Sequence, residues 1–162
     1  MTGAATAAWP GLPTSTGVRL AVRAVIVVEG RVLLVNAYPG EQSDLWCPPG
    51  GGAERGQSLQ ANLRREVLEE TGLRIRPGRL LGVSEFVKAE TGFHQVELLY
   101  RARLLDPADA AVLADPEAVV NRLRWVDART FATLRVKPDC LGRLAFGPAG
   151  AVVHEALQSM AG

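Results

Sequence analysis

The chain is poor in cysteine: Cys47 and Cys140 are the two in 162 residues. Two thiols outside any CxxC pair are too few for a disulfide scaffold and give little support to a structural zinc or a redox couple. Both read as reduced thiols, and Cys47, beside a glycine-rich turn, reads as a small packed one. No run of about 18 apolar residues occurs, so no membrane-crossing helix is expected. The N-terminus also lacks the basic region and apolar core of a signal peptide. The expectation is a soluble, cytoplasmic protein with no membrane partner.

Lysine is nearly missing too. Lys88 and Lys137 stand alone, and arginine supplies the rest of the 18 basic residues. Against 17 acidic residues the net charge is +1, which leaves no broad positive field to hold DNA, RNA or an acidic membrane surface. A nucleic-acid partner is therefore not expected, and partners should be small molecules. Arginine suits bidentate phosphate contacts at individual positions, although genomic composition bias explains the excess equally well.

The length and the 48% hydrophobic content fit one globular domain with a substantial core. Residues 1–16, rich in Ala, Thr, Gly and Pro, read as a flexible tail, leaving 17–162 as the domain. Val18 to Val28 and Val32 to Val35 are aliphatic runs flanking Glu29-Gly30, a hairpin pattern. Trp46 to Gly52, with two prolines and three glycines, is expected to interrupt both ladder and helix. Ser58 is an N-cap for a helix running to about Thr71, with Gly72 as its left-handed end. Further strands are expected at Leu80 to Val87, Gln95 to Leu104 and Leu123 to Val126, an acidic surface loop at 105–118, and helices near Ala128 to Leu134 and Ala151 to Met160. This mixture predicts an α/β or α+β domain.

The helix after Ser58 carries the chemistry. At about 100° per residue, Leu59, Leu63 and Val67 form an apolar stripe, while Glu66, Glu69 and Glu70 share a neighbouring arc near the C-terminal end. Carboxylates are disfavoured there by the helix dipole and by one another. A hard divalent cation, Mg²⁺ or Mn²⁺, would neutralise them with oxygen ligands alone. A solvated acidic surface is the plainer reading of a bare E-x-x-E-E.

The flanking residues decide between these. Gly51, Gln57 and the run from Arg65 to Leu73 closely resemble the Nudix hydrolase signature G-x5-E-x7-R-E-U-x-E-E-x-G-U, in which U is a bulky aliphatic residue. Every defined position is met except Gln57, where the family has glutamate. The resemblance implies a Nudix-type three-layer α/β/α sandwich around a mixed β-sheet. It also implies divalent-metal-dependent cleavage, by water, of a pyrophosphate bond in a nucleoside diphosphate linked to another group.

Carried over by position, Glu66, Glu69 and Glu70 match the metal ligands, and Gly50 matches a glycine whose carbonyl completes the coordination. Arg65 matches the signature arginine, read here as orienting the carboxylates. Gln57 keeps an acceptor oxygen but loses the charge, so a catalytically impaired nucleotide-binding or sensing module is the alternative; Glu54, on the same loop, is a stand-in for the missing carboxylate.

Glu97, a carboxylate amid apolar strand residues, is the leading additional base, with Glu85 second and Glu66 or Glu70 as further choices. Its competing reading is a charge on the solvent side of a strand. Arg19 and Arg23, on one strand face, are candidate phosphate contacts or else a solvated face. Phe93 and His94 are candidate substrate contacts; Phe86, Phe93 and Tyr100 could stack on a base, but strand aromatics are more often core. Dimers are frequent among relatives, which leaves a homodimer open.

Overall fold

The computed structural model describes residues 17–36, 43–112, 120 and 122–159. The proposed tail at 1–16 lies outside them. At the centre runs β1 (Arg19–Val28), whose side chains alternate between two buried faces. Val22, Ala24 and Ile26 point to one core and Val25 to the other, and all four are fully buried.

β1 turns into β2 (Arg31–Asn36) through the expected hairpin, Val28 opposite Arg31. Its other neighbour is β6 (Phe93–Leu104), which runs parallel to it. β5 (Ile75–Lys88) is antiparallel to β6, and β7 (Arg122–Asp127) is antiparallel to β2. With the short β10 (Gln158–Ser159) at one end, the order is β10-β5-β6-β1-β2-β7, a mixed sheet.

Helix α1 (Leu59–Thr71) covers one face. Ser58 Oγ accepts from the Ala61 amide at 3.1 Å, and Gly72 ends the helix at φ 69°, its amide donating to Leu68 O. Leu63, Val67 and Leu73 are fully buried against Val22, Ala24, Ile26 and Leu33, each contributing about 2 kcal/mol of burial. The opposite face carries α2 (Ala128–Phe131) and α3 (Leu141–Phe146), with Leu141 and Leu144 packed on Val25, Leu34, Leu81 and Leu99. Helices on both faces of a mixed sheet make the three-layer arrangement that the signature implied.

Two expectations fail, and one helix was not expected. Gly50–Gly52 does not break the ladder: as β4 it pairs antiparallel with Ala21, Val22 and Arg23, following β3 (Leu45–Trp46), which pairs parallel with β8 (Arg135–Val136). Glycine makes this pairing close rather than preventing it, because a Cβ at Gly50 (φ 145°) would sit 2.1 Å from Val22 O. The helix expected at Ala151 to Met160 is absent over its described part. Val153–His154 (β9) and Gln158–Ser159 run parallel to β5 along its outer edge, where open backbone groups outcompete a helix with exposed Val152 and Leu157. The six-residue α3, flanked by Gly147 and Pro148, went unpredicted. The loop at 105–118 holds a 3-10 turn at Ala108–Ala110, and its residues 113–118 lie outside the described ones. No helix is long and apolar enough to cross a membrane among the described residues.

Candidate active site

Arg65 sits at the hub of the acidic helix. Its Nη1 lies 2.9 Å from Glu66 Oε1 and 3.1 Å from Glu69 Oε2, and its Nη2 lies 3.3 Å from Glu54 Oε1 and 3.2 Å from Asn62 Oδ1. One rotation of the helix brings Glu69 under Arg65, whereas Glu54 arrives from the loop before it. Gln57 donates to Glu54 Oε2 at 2.6 Å. The glutamine at the signature's glutamate position thus holds a neighbouring carboxylate against Arg65.

Asn62 fixes that loop. It is fully buried, accepts from the Glu54 amide at 2.8 Å and donates to Ser58 O at 2.9 Å. Sequence reasoning passed over Asn62; an amide beside the Leu59, Leu63 stripe was the available signal, since a buried polar group needs partners.

Glu70 lies on the buried side of the helix and accepts from the Gly50 amide at 2.9 Å. Glu66 packs so closely on Gly51 that a Cβ there would be 2.2 Å from its Oε2. Burial pushes the Glu66 carboxyl above the usual carboxylate range, and Arg65 offsets this only in part. A half-buried carboxylate that resists ionising is one that an added cation would stabilise.

On the other side of Gly50 lies a second network. Arg23 Nη1 donates to Gly50 O at 2.7 Å, and Arg23 Nε pairs with Glu97 Oε1 at 2.9 Å. Gln95 Nε2 donates to the same Glu97 oxygen at 2.7 Å, and Arg19 donates to Gln95 Oε1. Burial alone would lower the Arg23 guanidinium, but Glu97, with Cys47 and Glu70 adding to it, more than reverses this and raises it. Burial, then Arg23, lower Arg19. Neither arginine lies on a solvated face, and Glu97, 4% exposed, does not face solvent. Gln95 is a member that the sequence did not flag.

Gly50 therefore joins the two networks, its amide facing Glu70 and its carbonyl facing Arg23. Phe93 and His94 stand outside both, at the start of β6 opposite Lys88 and Val87. His94 Nε2 is buried without a partner among the described residues. Glu85 instead bonds His154 Nε2 at 2.8 Å. Burial pushes the Cys47 thiol up to about 12, which suits a packed thiol rather than a nucleophile.

Among the described residues no three His, Cys, Asp or Glu side chains converge as an ion cage; Glu66 and Glu69 meet at Arg65 instead. The donor chemistry nonetheless fits a hard divalent cation, because Glu66, Glu69, Glu70 and the Gly50 carbonyl present oxygen alone.

A glycine strand locked to an acidic helix, with arginine gathering its carboxylates, is the loop and helix of one family. The chain belongs to the Nudix family: the family model described as NUDIX domain matches residues 17–141. It is 46% identical over 59 residues to diphosphoinositol polyphosphate phosphohydrolase 3-alpha of Mus musculus, covering 35% of this chain and 34% of that protein. The chain spans about a third of the length of the curated relatives it matches. In fold it is similar to a NUDIX hydrolase from Nitrosomonas europaea, at TM-score 0.65 and 23% identity, covering 79% of this chain and 86% of the other. It is also similar to a MutT NUDIX hydrolase from Burkholderia pseudomallei, at TM-score 0.61 and 25% identity, covering 70% and 85%. The family generally uses a divalent metal.

Proposed function

We propose that this protein hydrolyses a pyrophosphate bond in a small nucleotide-derived substrate, a nucleoside diphosphate linked to a further group, with Mg²⁺ or Mn²⁺ bound. The observation that carries the reading is the position of Arg65, within 3.1 Å of both Glu66 and Glu69 inside the signature. Residues 17–162 act as one domain in this reading, with 1–16 as its tail.

Glu66, Glu69, Glu70 and the Gly50 carbonyl hold the cation. When bound, it screens the diphosphate charge and polarises the phosphoryl oxygens. The side chains do the rest. Arg65 and Glu54 set the direction of the Glu66 and Glu69 carboxylates, and the Gly50 amide sets that of Glu70. Arg23 holds the Gly50 carbonyl in place and keeps Glu97 oriented as an acceptor for a proton from the attacking water. Arg19, Phe93 and His94 line the approach and contact substrate.

Two readings separate in one assay. Purified protein with Mg²⁺ or Mn²⁺ is given nucleoside triphosphates, dinucleotides and nucleotide sugars, and products are resolved by chromatography. Turnover is expected with at least one class, and Glu69→Gln and Glu70→Gln should each remove most of it while leaving the circular dichroism unchanged. Full rates in both variants would overturn the metal assignment. Ligand-dependent thermal stabilisation without product would instead identify a sensing module.

A further inference from the structure

The face of the sheet beneath α3 carries a second concentration of charge that the glutamate cluster does not use. A cavity of about 450 Å³ opens there between the sheet, α3 and the segment 148–152. Arg79 from β5, Arg101 from β6 and Arg143 from α3 line it, and none of its lining residues is acidic. Three separate segments of chain therefore bring arginine residues to its wall. Arg101 and Glu97 lie on the same face of β6 four residues apart, about 13 Å along the strand, with buried Leu99 between them.

Two of these side chains are fixed by backbone. Arg79 Nη1 donates to Gly150 O at 3.0 Å, and Arg101 Nη2 donates to Leu144 O at 2.7 Å. The second bond serves a carbonyl of the last turn of α3, a sufficient role for one N–H group. Each guanidinium has five donors, however, and a helix end explains neither Arg79 nor Arg143. None of the three is in an ion pair among the described residues. Burial, and then the charge of Arg79, lower the Arg101 guanidinium below its ordinary value. His154, also lining the cavity, is engaged with Glu85 at 2.8 Å.

Like charges gathered in a concave space raise the energy of the empty state, and an anion relieves it. Planar guanidinium forks match the oxygens of phosphate groups, and the volume is that of a small-molecule site rather than a protein interface. We propose that this cavity is a second anion site, separate from the glutamate cluster, that takes a small phosphorylated molecule bearing two or more adjacent negative charges.

Tripolyphosphate is the probe, titrated calorimetrically in EDTA so that the carboxylates of α1 have no divalent cation through which to bind it. One equivalent is expected to bind, with affinity falling as salt rises. The double variant Arg79→Gln/Arg143→Gln, at two exposed positions, should weaken binding at least tenfold, whereas Arg19→Gln should leave it unchanged. Should the double variant fail to fold, Arg143→Gln alone should weaken binding several-fold. Absence of binding to the wild type, equal affinity in the Arg79 and Arg143 variants, or loss confined to Arg19→Gln would each overturn the proposal. Hydrolysis by the glutamate cluster does not enter this measurement, so failure here and failure of the proposed activity are separable.

Discussion

Gln57 Nε2 donates to Glu54 Oε2 at 2.6 Å, and the other oxygen of Glu54 lies 3.3 Å from Arg65. The position that usually carries charge now supports a charge placed three residues earlier. Removing Glu54's charge should therefore disturb the carboxylates that Arg65 orients. Glu54→Gln is expected to lower kcat by roughly 10- to 100-fold, the usual cost of losing a ligand's supporting contact. Gln57→Glu in that background should restore most of the rate, and titration of Mn²⁺ should show the same loss and recovery of affinity. A double variant no better than Glu54→Gln would remove Glu54 from this role.

Glu66 should trade stability for function. Its carboxyl is raised by burial, with Arg65 opposing. A carboxyl raised on folding binds its proton more tightly in the folded chain, so its ionised form costs stability at neutral pH, and the cost is relieved as pH falls through the folded-state value. Glu66→Gln should raise Tm at pH 7, with the gain shrinking on acidification, while turnover is lost. Calorimetric scans across pH read this directly, and a lower Tm at pH 7 would contradict it.

Asp106 should behave with the opposite sign. Hydrogen bonds from the Arg74 side chain, then from its amide, hold the Asp106 carboxyl below the usual carboxylate range. The Arg74 amide reaches Asp106 Oδ2 at 2.6 Å and Arg74 Nη2 reaches Oδ1 at 2.6 Å. A carboxyl lowered on folding stabilises above its unfolded value, about 3.9, and that contribution disappears as pH falls through the folded value. Asp106→Asn should reduce Tm at pH 7, and the gap from wild type should close as pH falls through the folded value.

Adjacent glycines should fail differently. Gly50→Ala puts a Cβ 2.1 Å from the Val22 carbonyl oxygen at φ 145°, a backbone clash that cannot relax, and should cost at least about 3 kcal/mol. Gly51→Ala meets the end of the Glu66 side chain, which can swing away. Urea unfolding should find Gly51→Ala close to wild type in stability, while its kcat falls with Glu66 displaced. Equal stability losses in both would refute the distinction.

Much of this was legible in the residues. Ser58, the Leu59, Leu63, Val67 stripe and Gly72 define α1 locally, and Glu66, Glu69 and Glu70 follow from helical geometry once the helix exists. The glycine strand was not legible, because its pairing depends on how closely Val22 and Glu66 approach it from distant segments. The same holds for Arg23, whose choice of Glu97 and Gly50 over solvent is set by the parallel register of β1 and β6. The expected helix near Ala151 to Met160 misled, since nothing in that segment's residues announces an open edge on β5.

The sheet keeps two apolar clusters apart, one around Leu63 and Val67, the other around Leu141 and Leu144. Among the described residues the two clusters have no side chain in common, so Leu63→Ala and Leu144→Ala should have nearly additive costs. A lineage could thus remodel the arginine-lined layer extensively, acquiring or discarding a ligand there, without retuning the helix that bears the glutamates.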